Sequence, residues 1–435
     1  MGEIVDAHVD GGAMAAKPGL RLFTYENALV LILGVTFGVV FMDRLAVSYL
    51  APFIVKDLRL NSTQVGLTVS ALSVTWALTN IGAGRLSDLM GRRKPLLIAA
   101  VLVFSCCSFV SGLATSFVVL IAARLFMGVA EGPVPPMVLT LMAETSSPKR
   151  IGLNTGLIIN GCLSLFASVL GPLVLIGLAQ ALNWRWAFCI AAVPGLIMAF
   201  VIARFVREGG PRAGARRPTP IRSADPADRF LKVLARRNIV LCTLIACFTM
   251  AGLMITTAFT TLYLINTRHI PPTEASLLLS VQGLAQMASF VVAALSDRIG
   301  RKPAVVAFSL IGLAAPLGVL FFHGPLWGLA VFLALGGLAQ GVTAVLFIAI
   351  PAETVPMRQL GTVSGFIPGV GELVGSVCGP AIAGWAADHT SPAAPFVIIA
   401  VCAVAGSLLA LGLKETLGTR PVDRLDLAEA APAAA

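Results

Sequence analysis

The chain has 435 residues, of which 57% are apolar and only 12% charged, with a formal net charge of +10. That apolar content exceeds what a soluble globular surface tolerates, so a bilayer is the expected solvent. A nucleic-acid binder would gather its basic residues on one soluble face beside aromatics, and their distribution below excludes that class.

In chain order, residues 1–25 contain Glu3, Asp6 and Asp10 and no apolar stretch, so they read as a cytoplasmic tail and not as a cleaved signal peptide. Twelve apolar stretches follow, at 28–54, 64–83, 95–113, 117–143, 152–178, 185–204, 239–266, 274–294, 303–322, 325–350, 361–386 and 393–413. Each approaches the roughly 20 residues a membrane-crossing helix needs. Six precede and six follow a polar stretch rich in Pro and Arg. The expected organisation is an all-α membrane protein with an N-terminal six-helix bundle (26–205), a cytoplasmic linker (206–237), a C-terminal six-helix bundle (238–414) and a cytoplasmic tail (415–435).

Basic residues fall almost wholly on the side of the termini and linker, leaving Lys56, Arg59, Arg185 and Arg268 on the other. This asymmetry places both termini in the cytoplasm, in a bacterial-type inner membrane. The linker arginines suit anionic lipid head groups. All eight cysteines lie inside proposed helices, where they act as small apolar residues, and the four histidines are not grouped at metal-ligand spacing. No metal or other cofactor is expected.

The halves repeat. One offset, 209, superposes Ser87, Asp88, Gly91 and Arg92 on Ser296, Asp297, Gly300 and Arg301, and Gly128, Ala130 and Gly132 on Gly337, Ala339 and Gly341. It also superposes Ala143, Glu144 and Thr145 on Ala352, Glu353 and Thr354, and Gly152 and Gly156 on Gly361 and Gly365. Two related bundles of the same orientation imply a cavity between them and alternating access by rocking one against the other.

Five ionisable residues sit at membrane depth: Asp43 and Arg44 in span 1, Arg124 and Glu131 in span 4, and Glu372 in span 11. Each is costly there and is a functional candidate. The repeat separates scaffold from chemistry, because a requirement of the fold should recur and a requirement of transport need not. Under the same offset Asp43 and Arg44 meet Gly252 and Leu253, Arg124 meets Leu333, Glu131 meets Gln340, and Glu372 meets Leu163. The glycines recur and the charges do not. Two arginines argue for an anionic cargo, since guanidinium stays protonated and its fork matches a carboxylate. The carboxylates suggest proton coupling, with a bound anion competing for an arginine against that arginine's own acidic partner. Gln340 is a candidate cavity contact as the mate of Glu131. Tyr49, near the outer end of span 1, suits either a gate or the interfacial belt. Asn80, Asn154, Asn160, Gln282 and Gln286 could line the cavity or join helices.

The loop Gly84, Leu86, Ser87, Asp88, Gly91, Arg92, Arg93, Lys94 and its echo Leu295, Ser296, Asp297, Arg298, Gly300, Arg301, Lys302 resemble the signature loops of the major facilitator superfamily, although Leu89 stands where a basic residue is usual. The resemblance covers about 25–416. It implies the major facilitator fold, with its pseudo-two-fold symmetry, a monomer, and a gating role on the cytoplasmic side for Asp88, Arg92, Asp297 and Arg301. Asp43 and Arg44, followed by Arg124, Gly128, Glu131, Gly132 and Pro136, resemble the anion:cation symporter branch, whose members carry organic acids, usually with protons. That resemblance implies Arg44 and Arg124 for the anion and Asp43 and Glu131 for protons. Glu372 lies outside the pattern and is a third proton-coupling candidate. The expected function is proton-coupled import of a small organic carboxylate. The alternative is a drug or cation exporter of the same fold, against which the two arginines count, and no nucleophile or metal constellation points to an enzyme. The apolar cavity spans tilt the expected cargo toward a less hydroxylated acid.

Overall fold

A computed structural model describes residues 24–90, 93–147, 150–207, 233–355 and 357–418. The first tail, most of the linker and the end of the second tail lie outside them. Twelve helices are described: α1 (Tyr25–Leu58), α2 (Ser62–Met90), α3 (Lys94–Gly112), α4 (Phe117–Thr145), α5 (Ile151–Ala181), α6 (Trp184–Phe205), α7 (Arg237–Asn266), α8 (Pro272–Met287 continued by Phe290–Ile299), α9 (Arg301–Phe321), α10 (Leu326–Thr354), α11 (Gln359–His389) and α12 (Ala394–Leu411). Ten are long and apolar enough to cross a bilayer, and α8, bent by 43° between its two parts, makes an eleventh. The twelfth, α2, has 29 residues, ample length at about 1.5 Å per residue.

Local chemistry sets the ends. The Thr24 side chain caps α1 by accepting from the Asn27 N–H, and Arg59, at φ 51°, stops it in a left-handed turn. Ser116 and Asn183 cap α4 and α6 in the same way as Thr24. Gly300, at φ +100°, turns α8 into α9, a conformation side chains resist. α4 breaks directly after Glu131, where Pro133, Pro135 and Pro136 withdraw backbone donors. Its mate α10 breaks at the equivalent Gln340.

The 209-residue repeat reappears as repeated packing. Gly128 and Gly132 of α4 lie against Leu72, Thr75, Trp76 and Asn80 of α2, and a Cβ on either would collide with α2 backbone. Gly337 and Gly341 of α10 meet Gln282, Gln286 and Ser289 of α8, which are Ser73, Ala77 and Asn80 carried forward by the offset. A second pair of crossings keeps the fit while exchanging partners. On α1, Gly38 receives Phe166 of α5, whereas on α11 Gly375, the mate of Phe166, receives Cys247 of α7, the mate of Gly38.

The bundles meet along α2 with α11, α5 with α8, and α1 with α7. Opposite the face that carries the termini (the far face) this seam is closed. An apolar cluster runs across it, joining Ala51 and Val65 to Ile255, Phe259 and Ala383. Gly283 lies against the Ser168 backbone, and the Ser70 hydroxyl donates to the Val377 carbonyl at 2.6 Å. Toward the terminal face, a Cβ on Gly152, Gly156, Gly361, Gly365 or Gly369 would meet nothing within 4 Å. With the far face closed, the open side of the cavity between the bundles is the terminal one.

One polar contact stands out on the closed side. Asn61 and Gln64 cap each other at the start of α2, at 2.8 and 3.0 Å, which leaves the first-turn N–H groups of Ser62 and Thr63. Asp388, on α11 of the other bundle, accepts from both, at 2.8 and 2.7 Å, and from the Thr63 hydroxyl at 2.6 Å. One bundle thus caps a helix of the other. Asp388→Asn removes the charge and one acceptor, and should shift the empty protein about tenfold or more toward opening of the far face. Spin labels at Arg59 and Thr390 would read the distance, and an unchanged distribution would show that the cap does not hold this face shut.

Candidate functional site

Between the bundles lies a cavity of about 390 Å³. α1 presents Phe41, Arg44 and Leu45 to it at helical spacing, with Tyr49 on the next turn, and Gln282, Gln340 and Glu372 face them from α8, α10 and α11. Among the described residues its only charged lining groups are Arg44 and Glu372.

These two form an ion pair across the bundle boundary. The Arg44 guanidinium lies 4.6 Å from the Trp76 ring centroid and 5.6 Å from that of Phe41, and Nη2 is 3.5 Å from the Ser73 hydroxyl. The aromatic faces hold the cation by its quadrupole attraction and leave its in-plane donors pointing to the cavity. Glu372 opens a π-helical turn, Glu372–Ser376, whose extra residue re-aims the side chains that follow, and the Ser376 hydroxyl donates to its second oxygen at 2.9 Å. A π turn also occupies the equivalent part of α5, Ser164–Leu170. Gly371 and Gly375 bring α11 against α7, so close packing and an ionisable wall residue come from one segment.

Asp43 neighbours Arg44, but about 100° further round α1 it faces the interior of its own bundle. It is fully buried, and its Oδ1 accepts from the Ser108 hydroxyl at 2.6 Å. Arg124 is 1% exposed; its Nη1 donates to the Asp43 backbone carbonyl at 3.4 Å and lies 3.1 Å from Met127 Sδ, and its Cζ sits 5.1 Å from the Phe188 ring centroid. Glu131 is fully buried and within electrostatic reach of Asp43, Arg44 and Arg124. Arg124 Nε and Nη2, Asp43 Oδ2 and both Glu131 carboxylate oxygens have no hydrogen-bond partner among the described residues. Two carboxylates and one guanidinium thus share an apolar enclosure. One carboxylate balances the cation, and the other is a costly anion unless it carries a proton.

The structure therefore brings Arg44, Tyr49, Gln340 and Glu372 to one cavity and sets Asp43, Arg124 and Glu131 behind its α1 wall. A crevice lined by both Arg44 and Arg124 connects the two groups. Tyr49 donates to the Ala167 carbonyl at 3.1 Å, which braces α1 on α5. Asn160, Gln282 and Gln286 line the cavity, whereas Asn80 donates to the Gly132 carbonyl and Asn154 to Glu26 and Ser146, joining helices. Sequence reasoning passed over Trp76 and Ser73. The available signal was their spacing of three on a helix otherwise rich in Thr, Ser and Ala.

On the terminal face, Asp297 and Glu353 pair with Arg301 at 2.6 and 2.8 Å, and Thr416 donates to Glu353 at 2.7 Å. Glu415 joins them. Burial raises its pKa, but backbone N–H groups of Leu417, Arg301, Lys302 and Thr416 outweigh that and hold the carboxyl below its usual range. In the first half Arg93 pairs with Glu144, the mate of Glu353. The Asp88 side chain and Arg92 lie outside the described residues. Among the described residues the Asp297–Arg301 network binds helices of its own bundle together and does not cross the seam.

The sequence profile described as Major Facilitator Superfamily matches residues 32–285 and 244–432. A hexuronate transporter of Bacillus subtilis (strain 168) is 27% identical over 389 residues, covering 85% of this chain and 90% of that protein. A probable 4-methylmuconolactone transporter of Cupriavidus pinatubonensis is 27% identical over 340 residues, covering 76% of each. Among solved structures, a bacterial homolog of the human lysosomal transporter Spinster superposes with a TM-score of 0.76 at 18% identity, covering 94% of this chain and 99% of that one. A D-xylose-proton symporter does so at 0.73 and 16%, covering 92% and 100%.

Proposed function

Because the chain belongs to the major facilitator superfamily, we propose that it is of the anion:cation symporter type and imports a small organic carboxylate together with protons by alternating access. The observation that carries this reading is Arg44, the lone cation on the cavity wall among the described residues, held by a carboxylate from the opposite bundle. A substrate carboxylate can take the place of Glu372 on the guanidinium fork. Glu372 is then an unpaired anion at membrane depth, and taking up a proton removes that cost. Anion and proton enter as a neutral sum. Behind the wall, Asp43 and Glu131 beside Arg124 form a second proton-bearing group, and gradient-driven uptake needs both groups. The hexuronate transporter among the relatives supports an organic-acid cargo. The basic residues of the terminal face support a cytoplasmic position for it, in a bacterial inner membrane.

Reconstituted vesicles with an inward proton gradient and a panel of labelled acids test this. Accumulation of at least one acid, abolished by a protonophore, is expected. Gradient-driven efflux of a lipophilic cation with no acid uptake would replace this reading with the exporter.

A further inference from the structure

The two bundles differ most where they should match. In the first, positions 43, 124 and 131 fill the interior with Asp, Arg and Glu; in the second, their mates are Gly252, Leu333 and Gln340. The second bundle holds a cavity of about 70 Å³ in that region, between α7, α8, α9, α10 and α12, with Gly252 and Gln340 in its lining. It opens off the central cavity, since Leu253, Thr256, Gln282 and Gln340 line both. Leu253, at the mouth, is the mate of Arg44, so the pocket lies in the bundle opposite the guanidinium.

The chemistry of the pocket is mixed and uncharged. Thr249, Ser309 and Gln340 supply polar groups, Phe308 and Pro316 apolar ones, and among the described residues no carboxylate, Lys, Arg or His lines it. The Thr249 hydroxyl donates to the Ile245 carbonyl, leaving its oxygen as an acceptor. Gln340 Oε1 is buried with no hydrogen-bond partner among the described residues. An acceptor so placed is costly until a donor reaches it, and a turn of the Gln340 amide toward the pocket its residue lines would bring it to one. The volume suits a group of a few non-hydrogen atoms.

We propose that this side pocket is a subsite for the uncharged, hydroxyl-bearing end of the substrate, with Gly252 setting its depth and Gln340 accepting from a substrate hydroxyl. The proposal rests on the carboxylate reading of Arg44. It names the cargo as a hydroxylated monocarboxylate, which reverses the tilt toward a less hydroxylated acid taken from span composition. It also disfavours dicarboxylates, because a second carboxylate would enter a pocket with no cation to receive it.

Competition against a transported acid tests this with a three-carbon hydroxy acid, a six-carbon polyhydroxy monoacid, its deoxygenated counterpart and a six-carbon dicarboxylate. A Cβ at residue 252 would meet only Cys402 Cβ, at 3.9 Å, so the site has room for a Cβ, and the two methyls of Gly252→Val would take up pocket space beyond it. That variant should lose about tenfold or more on the six-carbon polyhydroxy acid and less than about twofold on the three-carbon acid. Gln340→Leu keeps the volume, and should erase the preference for the polyhydroxy acid over its deoxygenated counterpart. Equal losses on short and long acids, or none, would overturn the subsite, as would a dicarboxylate that competes as well as the polyhydroxy acid. If no acid competes in the wild type, the carboxylate reading falls, and the subsite with it. Acids that compete with no dependence on residue 252 or 340 overturn the subsite alone.

Discussion

Arg44→Lys should leave the protein folded and lower its apparent affinity for the substrate acid by about tenfold or more. The lysine ammonium can still pair with Glu372, so the bundle boundary keeps its counter-charge. What is lost is the planar fork: Arg44 presents several in-plane donors while stacking on Trp76, and an ammonium can neither stack in that way nor offer two parallel bonds to one carboxylate. A charge-assisted hydrogen bond contributes about 1.5–3 kcal/mol, so forfeiting one of two accounts for the expected factor. Concentration dependence of uptake reads it directly, and wild-type affinity in the lysine variant would remove Arg44 from the substrate. Arg124→Lys should fail through a different readout. Arg124 is enclosed by Asp43, Met127 and Phe188, so its loss should appear as a lower thermal midpoint and yield before any change in affinity.

Glu131→Gln should abolish accumulation driven by a pH gradient while sparing counterflow. The amide matches a protonated carboxyl in size and neutrality, and Gln340 at the equivalent break of α10 shows that the fold accepts it. Counterflow needs the loaded cavity to reorient but no net proton transfer, so the two assays part if Glu131 carries the proton. Glu372→Gln makes a contrasting case, because it frees Arg44 from its internal competitor. Apparent affinity for the acid should rise several-fold in that variant. Measured side by side in vesicles, retained accumulation in Glu131→Gln would leave coupling to Glu372 or Asp43 without Glu131. Unchanged affinity in Glu372→Gln would show that substrate and Glu372 do not compete.

Much of the scaffold was readable because it is written twice. The offset of 209 identified Gly128 and Gly337 as equivalent, and each lies where its helix crosses a neighbour too closely for a side chain. The failure of Asp43, Arg44, Arg124, Glu131 and Glu372 to repeat set the chemistry apart from the frame. Periodicity could not decide which way a helix face looks. A spacing of seven puts Arg124 and Glu131 on one face of α4, and that face proves to be the bundle interior and not the cavity wall. Nor could one chain position announce its partner 328 residues away: Arg44 and Glu372 meet through the seating of two bundles, and that register resides in packing and in no local motif. Asp388 was unreadable for the same reason. It looks like an ordinary acidic residue at a helix end until the start of α2 is seen beneath it.

The helix cap shared between bundles also bears on how readily this carrier turns over. Every group in it sits at the water's edge: when the far face parts, solvent can take the place of Asp388 on the Ser62 and Thr63 donors, and of those donors on the carboxylate. Exchanging such bonds for water changes the free energy by only about 0.5–1.5 kcal/mol for neutral partners and somewhat more for charged ones. The latch is therefore weak enough for a ligand's preference between two conformations to overrule, yet strong enough to bias the unloaded protein. A seam of aliphatic residues alone would expose oily surface on every cycle and resist parting. Wetting, in place of mechanical force, is what lets this gate release and reseal.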